Sequence, residues 1–181
     1  MLLRNCLKGI AMKMISMVAV LICTAFTGSL NKPVENMDMN RYAGVWYSLY
    51  SIPTFFDKNT RETTGHYTWS NKGYYEVVTT YKKGEDADIH SVKSKVFPVE
   101  GASKGELKAQ FIWPYKVDYW VIELAADYSY VVVGHPDYKY LFIMSRKPGM
   151  SPQLYNEIVA RCKAKGYPVE KLVSQQQPGN F

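Results

Sequence analysis

Residues 105–113 read GELKAQFIW. Leu107, Ala109, Phe111 and Trp113 fall on one face of an extended chain, and Glu106, Lys108 and Gln110 fall on the other. Strict alternation of this kind has the period of a β-strand with one side buried, not that of a helix. The same period recurs on both sides of the stretch. YYEVVTTYK (74–82) sets Tyr75, Val77, Thr79 and Tyr81 against Glu76, Val78, Thr80 and Lys82. HSVKSKVF (90–97) sets Val92, Ser94 and Val96 against Lys93, Lys95 and Phe97. YWVIEL, YSYVVVG and YLFIMSR add three more apolar runs. Turn signals separate them: SNKG at 70–73, KKGED at 82–86, EGASKG at 100–105 and HPDYK at 135–139.

Counted from RYAGVWYSLYSIP (41–53), about eight strands follow one another with short connections, which indicates an antiparallel meander. An open sheet of that size would leave two exposed edges, and closure into an up-and-down barrel removes them. Faces assigned inward include small and hydroxyl residues (Ser48, Gly65, Thr79, Ser94, Ala109), so the interior is expected to hold space. Eight strands enclose room for one small ligand. The period then changes. MSPQLYNEIVARCKAKGY (150–167) has Ser151 as N-cap, Pro152 at the first helical position and Gly166 after the last turn, with Leu154, Tyr155, Ile158, Val159 and Cys162 on one stripe. One amphipathic helix on the barrel's outside is predicted. KLVSQ (171–175) can add a short strand, and QQQPGNF reads as a polar tail.

The N-terminus is a separate unit. Arg4, Lys8 and Lys13 precede MISMVAVLICTAF (14–26), which carries no charge. A basic segment before about a dozen apolar residues is an export signal, too short to span a bilayer. The division expected is 1–27 as the export segment and 28–181 as the folded domain. Two cleavage patterns compete: a lipoprotein cut before Cys23, which would then be lipidated, and an ordinary cut near Ala25 or Thr27. Removing 1–22 takes away Arg4, Lys8 and Lys13, so 19 basic side chains face the chain's 16 acidic ones. That balance is no nucleic-acid footprint. Of the three cysteines, Cys6 lies in the signal, Cys23 at one of the two competing cuts and Cys162 on the helix stripe, so an internal disulfide is not expected. His66, His90 and His135 are scattered without metal-ligand spacing. Neither metal nor cofactor is expected.

Motifs now accumulate in order. Gly44-Val45-Trp46, then Asp127-Tyr128 with Ala126 before it, then the lone Arg146 ahead of the helix resemble the three signature motifs of the lipocalins, whose second motif is Thr-Asp-Tyr. GVWYSLYSIP, YLFIMSRKPGMSP and QQQPG are similar to the bacterial outer-membrane lipoprotein and apolipoprotein D-like subgroup, over about residues 36–179. Ser48 stands where many of that subgroup have an acidic residue. The resemblance implies an all-β, eight-stranded antiparallel barrel with a C-terminal helix outside. It also implies a binding protein rather than an enzyme. Its partner would be a fatty acid, lysophospholipid or similar amphiphile, held for storage, transport or scavenging. The place implied is the outer membrane facing the periplasm, through an anchor at Cys23, or free periplasmic export without one. Monomer and homodimer both fit.

Trp46 and Arg146 should meet at the closed end as a cation–π pair. Strand parity, with Glu123 outward, assigns Trp120, Ile122 and Leu124 to the cavity. By the same logic Phe111, Trp113, Tyr50, Tyr75 and Tyr81 face in, and His90 shares the inner face with Val92. Lys82, Lys83 and Lys95 are candidates to favour an anionic head group. Two other readings stay open: a lipocalin-fold enzyme acting on a small hydrophobic substrate, and a partner-binding envelope protein whose barrel is filled by its own side chains.

Overall fold

A computed structural model of the chain describes residues 30–178 except Phe56. The export segment and Cys23 lie outside the described residues. A single helical turn, α1 (Met39–Tyr42), leads into eight antiparallel strands: β1 (Gly44–Ile52), β2 (Thr60–Trp69), β3 (Tyr75–Lys83), β4 (His90–Pro98), β5 (Glu106–Ile112), β6 (Tyr115–Leu124), β7 (Tyr130–Gly134) and β8 (Leu141–Ser145). Each pairs with the next, and β1 pairs with both β8 and β2, so the sheet closes into a barrel. Helix α2 (Pro152–Ala164) follows, and a two-residue strand β9 (Val173–Ser174) pairs with β1.

The elements begin and end for local reasons. Asp38 Oδ1 accepts hydrogen bonds from the Asn40 and Arg41 amides at 2.8 and 3.2 Å, which caps α1. Ser151 Oγ does the same for the Leu154 amide of α2, with Pro152 in the first turn. Gly44 turns the chain from α1 into β1 with φ +99°, and a Cβ there would stand 3.2 Å from the Arg146 guanidinium. A glycine meets both demands.

The core has two compartments. Inside the barrel, Trp46, Tyr42, Tyr67, Tyr75, Leu107, Val121, Val131 and Val133 pack together. Outside, α2 lays Ile158 and Cys162 on Val132, Leu141 and Ile143. Arg161 of α2 reaches Glu123 of β6 at 2.8 Å, and the Tyr130 hydroxyl donates to the same carboxylate at 3.0 Å. Cys162 is buried there, its thiol pushed up to about 12 by burial, which leaves it protonated and unreactive.

Four bulges interrupt the period of two. One extra residue enters β1 at Leu49, one enters β2 between Arg61 and Thr64, one enters β5 between Ala109 and Ile112, and one enters β6 at Ile122. Each moves the following side chains to the other face. These shifts decide which residues reach the barrel interior.

Candidate functional site

The closed end is built from the three sequence motifs. Arg146 lies 3.7 Å from the Trp46 ring centroid. Its guanidinium donates to the carbonyls of Val45 at 2.8 Å, Arg41 at 2.7 Å and Tyr42 at 3.1 Å. The Trp46 indole N–H donates to the Tyr42 carbonyl at 2.9 Å. The arginine thus satisfies the carbonyls left open at the end of α1 and holds the indole beneath it. Tyr128, with φ +63°, turns its hydroxyl to the Asp38 amide at 2.8 Å, and Arg41 stacks over its ring at 4.0 Å. Asp127 accepts from the Ser129 amide at 3.0 Å and so shapes the β6–β7 turn. Gly44, Trp46, Asp127, Tyr128 and Arg146 are therefore a structural girdle round the barrel floor.

Above that floor sits a plug of tyrosines. The Tyr119 hydroxyl lies 2.9 Å from the hydroxyls of both Tyr42 and Tyr67. The Tyr75 hydroxyl donates to the Met39 carbonyl at 2.6 Å. Burial raises the pKa of all four phenols, so each stays neutral. Tyr75 does face the interior, but as packed floor against Trp69, Tyr67 and Tyr42.

The upper half differs. Register places Thr79, Tyr81, His90, Val92, Ser94 and Val117 on the inner face. Val92 and Val117 remain 37% and 45% exposed although they point inward. This half of the interior is open to the barrel mouth. Tyr81 and His90 stack at 5.6 Å beside it, and His90 pairs with Asp86 at 2.9 Å. The His90 side chain is 41% exposed, so the pair is not a sequestered acid–base site. Lys82 is held by Glu62 at 2.9 Å, and Lys95 lies on the outer wall over Tyr74.

The bulges redirect several residues that parity had assigned to the cavity. Tyr50 follows the Leu49 bulge and packs outward on Tyr155 of α2, ring centroids 4.1 Å apart. Trp120 pairs with Gly134 and Ile122 forms the β6 bulge, and both join the outer compartment under the helix. Tyr119 and Val121 take the inward places instead. Leu124, past the bulge, returns to the interior near the floor. Phe111 sits in the β5 bulge at the lip, 54% exposed, and Trp113 tops the β5–β6 turn, 83% exposed. Of the eight residues assigned to the cavity, Tyr81 and Phe111 border the open half. Tyr75 and Leu124 are floor, Trp113 is rim, and Tyr50, Trp120 and Ile122 lie outside the barrel.

Two buried features were not read as such. The segment QQQ is no polar tail. Where β1 and β2 splay, Gln175 donates its backbone N–H to Leu49 O at 2.9 Å, and its carbonyl accepts from the Glu62 amide at 2.6 Å. Its side chain bridges Ser51 and Thr63, both at 2.9 Å. Gln177 adds bonds to the carbonyls of Ser48 and Thr63 at 3.2 and 2.7 Å. The chain's end is thus a seam that closes the barrel wall. A polar run can do this because both glutamines find partners for all that they bury. His135, which opens the predicted HPDYK turn, is also buried. Its Nδ1 accepts from the Asp137 amide at 3.0 Å, and burial lowers its pKa despite Asp118 and Asp137 at 3.9 Å. Ser48 points inward, and its buried hydroxyl has no protein partner. Among the described residues, no group of three His, Cys, Asp or Glu side chains could hold a metal ion.

Comparison with known proteins agrees with this architecture. The family model described as a lipocalin-like domain matches residues 37–177. The outer membrane lipoprotein Blc of Vibrio cholerae is 29% identical over 147 residues, covering 81% of this chain and 86% of its own. Temperature-induced lipocalin-1 of Arabidopsis thaliana is 32% identical over 148 residues, covering 77% and 78%. Apolipoprotein D of Bos taurus is 26% identical over 155 residues, covering 79% and 78%. Among solved structures, insecticyanin from Manduca sexta superposes with a TM-score of 0.65 at 18% identity, covering 82% of this chain and 85% of that one, a likeness of fold alone. With the matched domain spanning most of the chain and the barrel, girdle and helix in place, this protein belongs to the lipocalin family.

Proposed function

We propose that the protein takes one fatty acid, lysophospholipid or similar amphiphile into the open half of its barrel and holds it for storage, transport or scavenging at the cell envelope. The observation that carries this reading is the division of the interior. Below, the tyrosine plug leaves no exposed surface on Tyr42, Trp46 or Tyr75; above, inward-facing Val92 and Val117 stay accessible. An apolar wall that faces inward yet remains open is suited to an acyl chain. Tyr81 and His90 supply rings with polar tips for the head-group end, and the lip residue Phe111 adds apolar contact beside them. Burying an acyl chain contributes about 0.8 kcal/mol per CH₂, less the cost of ordering it, so affinity in the micromolar range is expected.

The envelope setting rests on the export segment, on Cys23 as the lipidation site and on the similarity to proteins named outer membrane lipoprotein Blc. The function is binding and not catalysis: burial raises the pKa of the floor phenols Tyr42, Tyr67, Tyr75 and Tyr119, and the inward His90 at the mouth is open to water. Titration of the delipidated protein with a fluorescent fatty acid tests the reading. Saturable one-to-one uptake supports it, and absence of uptake overturns it. Acyl-probe labelling that is present in the native chain and lost in Cys23→Ala tests the anchor.

A further inference from the structure

One joint in the barrel wall is made without hydrophobic packing. β1 pairs with β2 from Gly44 opposite Tyr67 to Tyr47 opposite Thr64 and no further, although both strands continue towards the mouth. Residues 173–177 fill that gap as a strap. On the β1 side the strap is a strand, with Val173 opposite Ser51 and Ser174 opposite Tyr50. On the β2 side, among the described residues, one backbone hydrogen bond crosses, from the Glu62 amide to the Gln175 carbonyl at 2.6 Å. Side chains add to it. The Thr63 hydroxyl donates to Gln175 Oε1 at 2.9 Å, and Gln177 Nε2 donates to the Thr63 carbonyl at 2.7 Å. The strap's apolar residue, Val173, is exposed, and what it buries is Gln175 and Gln177. When such a joint opens, each bond is exchanged for one with water and no apolar surface is uncovered, so opening costs less than at a packed seam.

Strain stands on both sides of the joint. Glu62 has φ +52° and Gln176 has φ +51°, a left-handed backbone that side chains other than glycine rarely adopt. The Glu62 carboxylate is held by Arg61 and by Lys82 at 2.9 Å, which ties this edge of β2 to β3 and not to the strap. Outside the strap lies a groove of about 350 Å³ between Gln177 and Pro178 on one side and Tyr47, Thr64 and Thr80 on the other, so the strap has room to swing. Behind it the buried Ser48 hydroxyl has no protein partner. Arg61 and Thr64 pair with Lys82 and Thr80, which sets the joint level with the inward-facing Tyr81 of the open half.

We infer that the joint between the strap and β2 is a side gate, through which an acyl chain enters and leaves the open half of the barrel. Residues 175–178 swing outward while 173 and 174 stay paired with β1, and the left-handed turns at Glu62 and Gln176 are released. The cargo rests on the ligand reading above; the opening does not.

The test has two arms, both on the delipidated full chain. The first needs no ligand. Amide hydrogen exchange read by NMR should show the Glu62 amide exchanging about tenfold or more faster than the amides of the β3–β4 pairing. Equal protection overturns the inference. The second arm follows uptake and release of a fluorescent fatty acid by stopped flow. Gln175→Ala/Gln177→Ala should speed both by about tenfold and leave Kd unchanged, because a gate alters the two rates together. Thr63→Val, a milder loss of the same bonds, should shift them in the same direction. Unchanged rates overturn the gate. So does a weaker Kd with unchanged uptake rate, which would make the glutamines ligand contacts. Absence of uptake by the unsubstituted protein refutes the ligand reading and with it the cargo, and hydrogen exchange then decides the opening alone.

Discussion

The two ends of the barrel are made from the same strands and serve opposite ends. At the closed end every large side chain has a partner: Trp46 lies under Arg146, Tyr119 joins Tyr42 and Tyr67, and Tyr75 reaches α1. At the open end the inward-facing Val92 and Val117 stay accessible, and aromatic rings stand in solvent. Filled interior stabilises, and unfilled interior is available to a ligand. The contrast teaches that stability and binding are separated along one axis. Substitutions should therefore sort by height in the barrel.

The largest effect is expected from Trp46→Ala, which removes a fully buried indole from the floor and the ring under Arg146. It should destabilise by about 3–5 kcal/mol, read by urea or thermal unfolding. A loss below about 1 kcal/mol would break the contrast at its base. Gly134→Ala comes next. Its Cβ would stand 2.1 Å from the Tyr167 hydroxyl, which reaches Asn31 and the His135 carbonyl at 3.0 Å each. Overpacking there should cost about 1–3 kcal/mol. Tyr119→Phe leaves the Tyr42 and Tyr67 hydroxyls without their shared partner and should cost about 1–3 kcal/mol, with little change in ligand affinity.

The pH effect is smaller. Burial is the largest influence on His135, with Lys139 acting the same way, and together they hold its folded pKa below the usual histidine value. The unfolded chain then binds the proton at a higher pH. Its contribution is fully present above the ordinary value of about 6.5 and is lost as pH falls below it. Melting temperatures across that window should drop with pH, and more weakly in His135→Gln. The smallest effect is expected from Ser48→Ala. The Ser48 hydroxyl has no protein partner, so removing it should change stability by less than about 0.5 kcal/mol.

Much of the closed end was legible in the sequence. Gly44, Trp46 and Arg146 meet as their motifs imply, and α2 begins at its proline with Cys162 buried on its stripe. β3 also reads correctly from alternation, because no extra residue interrupts its pairing with β4: Tyr75, Val77, Thr79 and Tyr81 all face inward. β6 does not. One extra residue at Ile122 sends Trp120 to the helix and brings Tyr119 in. The same happens to Tyr50 through Leu49. An apolar residue in a bulge looks like any other in a strand, and both faces of these strands are buried. Polarity therefore could not reveal which face belonged to the barrel and which to the helix. The glutamine seam was hidden for a related reason: its burial depends on gaps in β1 and β2 more than 110 residues earlier in the chain.

Val92 and Val78 give the most direct test of the central claim that the open half of the interior is the ligand site. They lie on neighbouring strands at 37% and 39% exposure, Val92 pointing into the barrel and Val78 out of it. Fluorescent fatty-acid titrations of Val92→Trp and Val78→Trp should separate them. Filling the interior at position 92 should weaken binding about tenfold or more, and position 78 should behave as the unsubstituted protein. Equal affinity of the two variants would contradict the account.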